Sequence, residues 1–150
     1  MLKQLIFVVV FAVIAEQSYA EREKSECEHH RERESASNAP LPLRMVPECE
    51  TNGDYKQIQC FRESKFCACW DKTGNPVTQP SGKIKSCDCM IKKHEAEKQG
   101  LLGAFKPQCE EDGKYKKVQC HGSVGSCWCA HPETGDKLSE PVRGSTPDCA

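Results

Sequence analysis

The sequence predicts a small disulfide-rich α+β protein. It reads as two tandem modules, each a short N-terminal helix followed by a small antiparallel β-hairpin and long loops. Three observations predict this class. The first is a set of 12 cysteines that divides into two sixes. Cys27, Cys49, Cys60, Cys67, Cys69 and Cys87 are separated by 22, 11, 7, 2 and 18 residues, and Cys89, Cys109, Cys120, Cys127, Cys129 and Cys149 by 20, 11, 7, 2 and 20. A grid repeated this closely is one module built twice. The second is that both sixes enclose the same turn and the same alternating stretch. The third is an N-terminus that directs the cysteines to an oxidising compartment, where such a density forms disulfides.

Residues 1–20 have the plan of a signal peptide. Lys3 supplies the positive start, Leu5 to Ala15 the apolar centre, and Ser18-Tyr19-Ala20 the small residues before a cut. The apolar run is shorter than the roughly 20 residues that cross a bilayer. The mature chain is therefore expected to be secreted and extracellular, with modules at 27–87 and 89–149. Each module spans too little chain for a core worth more than about 3–5 kcal/mol. Three bridges per module, at roughly 2–4 kcal/mol each, are expected to dominate its stability.

Each module opens on a charged stretch with helix-forming residues, Cys27 to Glu34 and Cys89 to Gln99, and Gly100 is a stop for the second. Loops follow over 35–46 and 100–106. Pro40, Pro42 and Pro47 exclude regular structure from the first. Pro47-Glu48-Cys49-Glu50-Thr51-Asn52-Gly53-Asp54-Tyr55 then parallels Pro107-Gln108-Cys109-Glu110-Glu111-Asp112-Gly113-Lys114-Tyr115. Asn-Gly and Asp-Gly are turn dipeptides, because glycine takes positive φ without a Cβ clash. Tyr55 to Cys60 and Tyr115 to Cys120 alternate in polarity as a half-buried strand does, and Cys67 to Trp70 and Cys127 to Ala130 supply its partner. Cys67 and Cys69 share one face of a strand and take separate partners. Spacing alone leaves all 15 pairings of six cysteines open.

Net charge is −1, which favours neither nucleic acid nor an anionic membrane as partner. The lysine clusters Lys92-Lys93 and Lys114, Lys116, Lys117 read as solvated faces, and His29-His30 as an exposed helix face. His94, His121 and His131 are dispersed and suggest no metal site. No cofactor is expected. No nucleophile, base and orienting acid stand in a catalytic pattern, so no enzyme is expected either.

The motifs resemble the thyroglobulin type-1 domain, whose hallmark runs Pro-x-Cys, Gly and Tyr, Gln-Cys, Cys-Trp-Cys-Val, Gly and a last Cys. The second module carries Pro107, Cys109, Gly113, Tyr115, Gln119-Cys120, Cys127-Trp128-Cys129-Ala130, Gly135 and Cys149. The first carries Pro47, Cys49, Gly53, Tyr55, Gln59-Cys60, Cys67-Ala68-Cys69, Gly74 and Cys87, with Ala68 in place of the tryptophan. The resemblance implies the pairing Cys27–Cys49, Cys60–Cys67, Cys69–Cys87, Cys89–Cys109, Cys120–Cys127 and Cys129–Cys149.

Some members of that family, the thyropins, inhibit papain-like cysteine proteases with three loops that form a wedge, and two-module members occur in spider venom. The resemblance implies a monomeric protease inhibitor, from venom or another secretion, whose partner is a papain-like cysteine protease of the cathepsin type. It places the first loop over 99–105, with Gly100, Leu101, Leu102 and Gly103. The second is His121, Gly122, Ser123, Val124, Gly125 and Ser126. The third covers 138–144, with Pro141 and Val142. A ring closed by Cys120 and Cys127 orders the second loop before binding, which lowers the entropy cost of association. The equivalent ring of the first module, Phe61 to Phe66, is bulky and charged, and suits a narrow cleft poorly. The alternatives are a non-inhibitory extracellular binding module and a venom toxin directed at another target.

Overall fold

A computed structural model describes residues 22–40 and 44–149. The signal peptide expected at 1–20, and Pro42, lie outside the described residues. The elements run α1 (Glu26–Ala36), β1 (Ile58–Cys60), β2 (Cys67–Cys69), α2 (Asp88–Gln99), β3 (Val118–His121), β4 (Ser126–Cys129) and β5 (Val142–Arg143).

Helix α1 starts at a reciprocal cap. Glu28 N donates to Ser25 Oγ at 3.2 Å, and Ser25 N donates to the Glu28 carboxylate at 2.8 Å. Two of the amides that a helix start leaves unpaired are thereby satisfied. The helix runs on to Ala36, past Glu34, because Pro40 restricts only the residue before it. Helix α2 ends at Gly100, whose φ of 63° is a left-handed cap.

β1 and β2 form one antiparallel pair, and β3, β4 and β5 a three-stranded sheet in that order. The strands are shorter than their alternating polarity suggests. Tyr55 and Tyr115 stand apart from the ladders and bridge back to Cys49 and Cys109. Their amides donate to Lys72 O and Pro132 O instead of a strand partner. β5 falls where a loop was expected. A pair so short has no readable period, and it exists because Val142 and Arg143 lie beside Cys127 and Ser126.

Six disulfides join Cys27–Cys49, Cys60–Cys67, Cys69–Cys87, Cys89–Cys109, Cys120–Cys127 and Cys129–Cys149. Cys60 and Cys67 face each other across β1–β2, and Cys120 and Cys127 across β3–β4, with Cα separations of 4.0 and 4.1 Å. Each closes a hairpin at its tip.

Among the described residues, the largest side chains less than 2% exposed are Gln59 and Gln119. Gln119 Oε1 accepts from Gln108 N at 2.8 Å, while its Nε2 donates to Gln108 O at 2.7 Å and Lys116 O at 2.9 Å. Gln59 makes the same three bonds to Glu48 N, Glu48 O and Lys56 O. Each amide clips the Pro-x-Cys segment to the strand with both its polar atoms satisfied. Burial costs little on those terms.

The modules share their packing. Met90 and Ile91 of α2 join Cys69, Ile84, Cys87, Ile58, Cys67 and Val77 of the first module in one apolar cluster. Lys85 N and Ser86 N both donate to Asp112 O, at 2.8 and 3.0 Å. A Cβ on Gly113 would lie 1.7 Å from Ser86 O, so only glycine lets the turn approach this closely. Lys83 and Glu111 form an ion pair across the same seam.

One surface expectation is corrected. His30 is half-buried: its Nδ1 lies 3.1 Å from Tyr55 Oη, and its ring stacks on Trp70 with centroids 6.2 Å apart. At the corresponding place in α2, Lys92 stays exposed, as expected, while it pairs with Asp88 at 2.9 Å and sits 5.5 Å from the Tyr115 ring centre. Both modules fill the space between helix and tyrosine, one with an aromatic stack and the other with a charge. Sequence periodicity along a polar helix cannot show contacts of this kind.

Candidate loop edge of the second module

The three loops singled out in the second module meet at one edge. The first leaves α2 at Gly100 and turns through Leu101 and Leu102, closed by Ala104 N donating to Leu101 O at 3.2 Å. Gly100 and Gly103 flank this turn with φ of 63° and 77°. The second loop is the tip of β3–β4, where Val124 N and Gly125 N both donate to His121 O. The third runs into β5, which pairs Val142 with Cys127 and Arg143 with Ser126. Gly144 N then donates to Gly125 O at 3.4 Å.

Contacts between the loops are specific. His121 Nε2 lies 2.9 Å from Gly103 O, and Ser123 Oγ donates to the same oxygen at 2.8 Å. The imidazole therefore carries its proton on Nε2 when it makes this bond. Phe105 packs edge-on against His121 with ring centroids 5.7 Å apart, and lies 5.0 Å from Trp128. Trp128 is buried, and Lys137 Nζ stands 4.4 Å from its ring centre. The foot of the first loop is thus clamped between the second loop and the sheet.

The first two loops, 100–105 and 121–126, carry no Asp, Glu, Lys or Arg, while the third exposes Glu140 and Arg143. Leu101 is 62% exposed and Leu102 103%, so neither leucine packs against its own module. Val124 and Val142 are exposed as well. Gly122, Ser123, Gly125 and Pro141 are open to solvent, while Ser126 is buried beneath them. A Cβ at Gly122 or Gly125 would meet nothing within 4 Å. The tip is narrow because those glycines carry no side chain.

The corresponding edge of the first module differs. Phe61, Glu63 and Ala68 stand at the places of His121, Ser123 and Trp128, so latch and clamp are both missing. Arg62, Glu63 and Lys65 project from the tip, and Phe66 is 54% exposed. Glu63 holds a φ of 62° without being glycine. Among the described residues there is no free cysteine, no group of three or more metal-ligating side chains, and no helix long and apolar enough to cross a membrane.

Comparison with known proteins places this chain in a family. The profile of the thyroglobulin type-1 repeat matches residues 21–89 and again 85–149. The chain belongs to the thyroglobulin type-1 family. It is 54% identical over 142 residues to U20-hexatoxin-Hi1a of Hadronyche infensa, covering 94% of this chain and 96% of that one. It is 41% identical over 119 residues to U24-ctenitoxin-Pn1a of Phoneutria nigriventer, covering 79% and 91%. Equistatin of Actinia equina is 34% identical over 111 residues, and the match spans 69% of this chain and 48% of equistatin. Thyroglobulin type-1 modules are non-enzymatic.

The latch from His121 and Ser123 to Gly103, and the clamp of Phe105 on Trp128, were not legible beforehand. The one available signal was the tryptophan between two cysteines, which the first module lacks.

Proposed function

We propose that this chain is a secreted inhibitor of papain-like cysteine proteases, acting as a monomer through the loop edge of its second module. One observation carries the reading. Three loops from separate parts of the module converge on a narrow, largely apolar edge, with Glu140 and Arg143 of the third loop exposed beside it, fixed by a disulfide, a short sheet and the bonds to Gly103 O. A protease cleft admits a thin, rigid, dry edge. Such an edge gives up little conformational freedom on binding, so its buried area is converted into affinity. The backbone at Gly122 and Gly125 approaches the cleft floor, while Leu101, Leu102, Val124 and Val142 meet its walls.

Secretion is supported by the signal-peptide plan of residues 1–20 and by six bridges of a kind formed in oxidising compartments. Modules bounded at 27–87 and 89–149 remain after cleavage. Two relatives covered over more than nine-tenths of their length carry toxin names, which supports release into venom. The first module, with its charged tip, serves as a fixed neighbour to the inhibitory one.

The test is a titration of the oxidised, secreted chain against papain and a lysosomal cathepsin. Tight inhibition is expected, competitive with substrate. Full protease activity at micromolar chain would sink the proposal, and would favour a toxin aimed at another target.

A further inference from the structure

The geometry points to His121 and Ser123 as positioning residues that latch the Leu101–Leu102 turn to the disulfide ring. They make those two leucines one preset apolar anchor, which fits a partner with an apolar pocket beside its cleft. The anchor role rests on the inhibitor reading above; the latch does not.

The leucines themselves ask for an explanation. A solvent-exposed leucine is ordinary, but two in succession at the apex of a built turn are not. Leu102 is 103% exposed and Leu101 62%, so neither contributes to the module's core. The turn that carries them is nevertheless held firmly. Gly100 and Gly103 adopt positive φ at its two ends, and Ala104 N closes it on Leu101 O. Gly103 O then takes two side-chain donors from the neighbouring loop, at 2.9 and 2.8 Å. His121 is kept in place by Phe105, which is itself set against Trp128.

Both donors approach an exposed carbonyl that water would otherwise solvate. Their contribution to folding is small, because each bond replaces one to solvent. What they do is restrict the turn. A four-residue turn tethered only at its ends samples many directions. A third point at Gly103 O leaves the leucines one direction to face. The order is set before any partner arrives, and a pocket that receives them has little further freedom to freeze. The first module has neither donor at the matching places, where Phe61 and Glu63 stand.

The test uses three variants of the full oxidised chain. His121→Phe with Ser123→Ala keeps a ring against Phe105 but removes both donors. His121→Gln on the wild-type background restores a donor at nearly the same position. Leu102→Ala leaves the latch intact and shortens the anchor. Backbone order at Leu102 and Gly103, by NMR relaxation, is expected to be near 0.85 in the wild type and the glutamine variant. In the double variant it falls below about 0.6, while thermal stability barely moves. An equally rigid turn in the double variant overturns the latch.

Against a papain-like enzyme, Leu102→Ala is expected to weaken inhibition roughly 10–100-fold, as withdrawal of a leucine from an apolar pocket would. Unchanged inhibition by Leu102→Ala overturns the anchor. If the wild type inhibits no such enzyme, the inhibitor reading and the anchor both fall, and the relaxation data still decide the latch.

Discussion

Replacing Gln119 with methionine should destabilise the second module by roughly 2–4 kcal/mol, although the substitution keeps the side chain's length and enters no binding loop. The figure comes from its surroundings. Gln119 is 1% exposed and satisfies three backbone groups: Gln108 N, Gln108 O and Lys116 O. Gln108 O keeps the Lys116 amide at 2.9 Å, so Gln108 N and Lys116 O are the groups left without a partner, at about 1–3 kcal/mol each with the carbonyl at the lower end. Methionine offsets little of that, since its gain in apolar burial is confined to a site already shielded by backbone. The assay is guanidinium unfolding with disulfides intact, followed through the indole signals of Trp70 for the first module and Trp128 for the second. The Trp128 transition is expected to move to lower denaturant with the Trp70 transition nearly in place. Gln59→Met supplies the mirror experiment, because Gln59 makes the matching three bonds. A loss under about 1 kcal/mol in both variants would show that the clip is ornamental and that the disulfides alone hold these segments.

Other outcomes follow from the same structure. Gly113→Ala should loosen the joint between modules, since its Cβ would collide with Ser86 O and its φ is 89°; separate tumbling of the modules by NMR relaxation would register it, and unchanged joint tumbling would argue against the seam. Gly122→Trp meets nothing within 4 Å, so folding should survive while inhibition is lost by steric blockade; a fully active tryptophan variant would remove the ring tip from the mechanism. Burial opposes ionisation of Asp71, but bonds from Asn75 and Thr73 outweigh it and hold its carboxyl at about 2, below its ordinary value of 3.8. A lowered folded-state value means that this turn contributes its stability above the unfolded value and loses it as pH falls toward 2; a carbon-13 titration of Asp71 with a midpoint near its ordinary value would refute the arrangement. Complete reduction of the six bridges should unfold the chain, and retained native circular dichroism would contradict it.

Much of the scaffold could be read from residues in order. The doubled cysteine spacing marked the modules, the Asn-Gly and Asp-Gly dipeptides marked the turns, and Gly100 marked the end of α2. These signals are local, and each residue imposes its constraint without help from distant chain. The capping box at Ser25-Glu26-Cys27-Glu28 was equally local and passed unread. β5 was different in kind: Val142 and Arg143 are a strand only because β4 lies beside them. His30 looked like a surface residue because a polar helix does not announce which tyrosine will fold against it.

By itself the sequence determined a twice-built, cysteine-bridged scaffold and the unequal character of its two hairpin tips, charged at 61–66 and glycine-bearing at 121–126. Those properties depend on residue identity and short spacing alone. Only the tertiary structure decided that Gly103 and Ser123, 20 residues apart, would share a hydrogen bond. It also decided that Met90 and Ile91 would complete the first module's core, and that Leu101 and Leu102 would face solvent. Those outcomes depend on which surfaces are brought within reach after the chain closes on itself. No spacing encodes them, because the contacting groups are joined through space by the fold and not along the backbone.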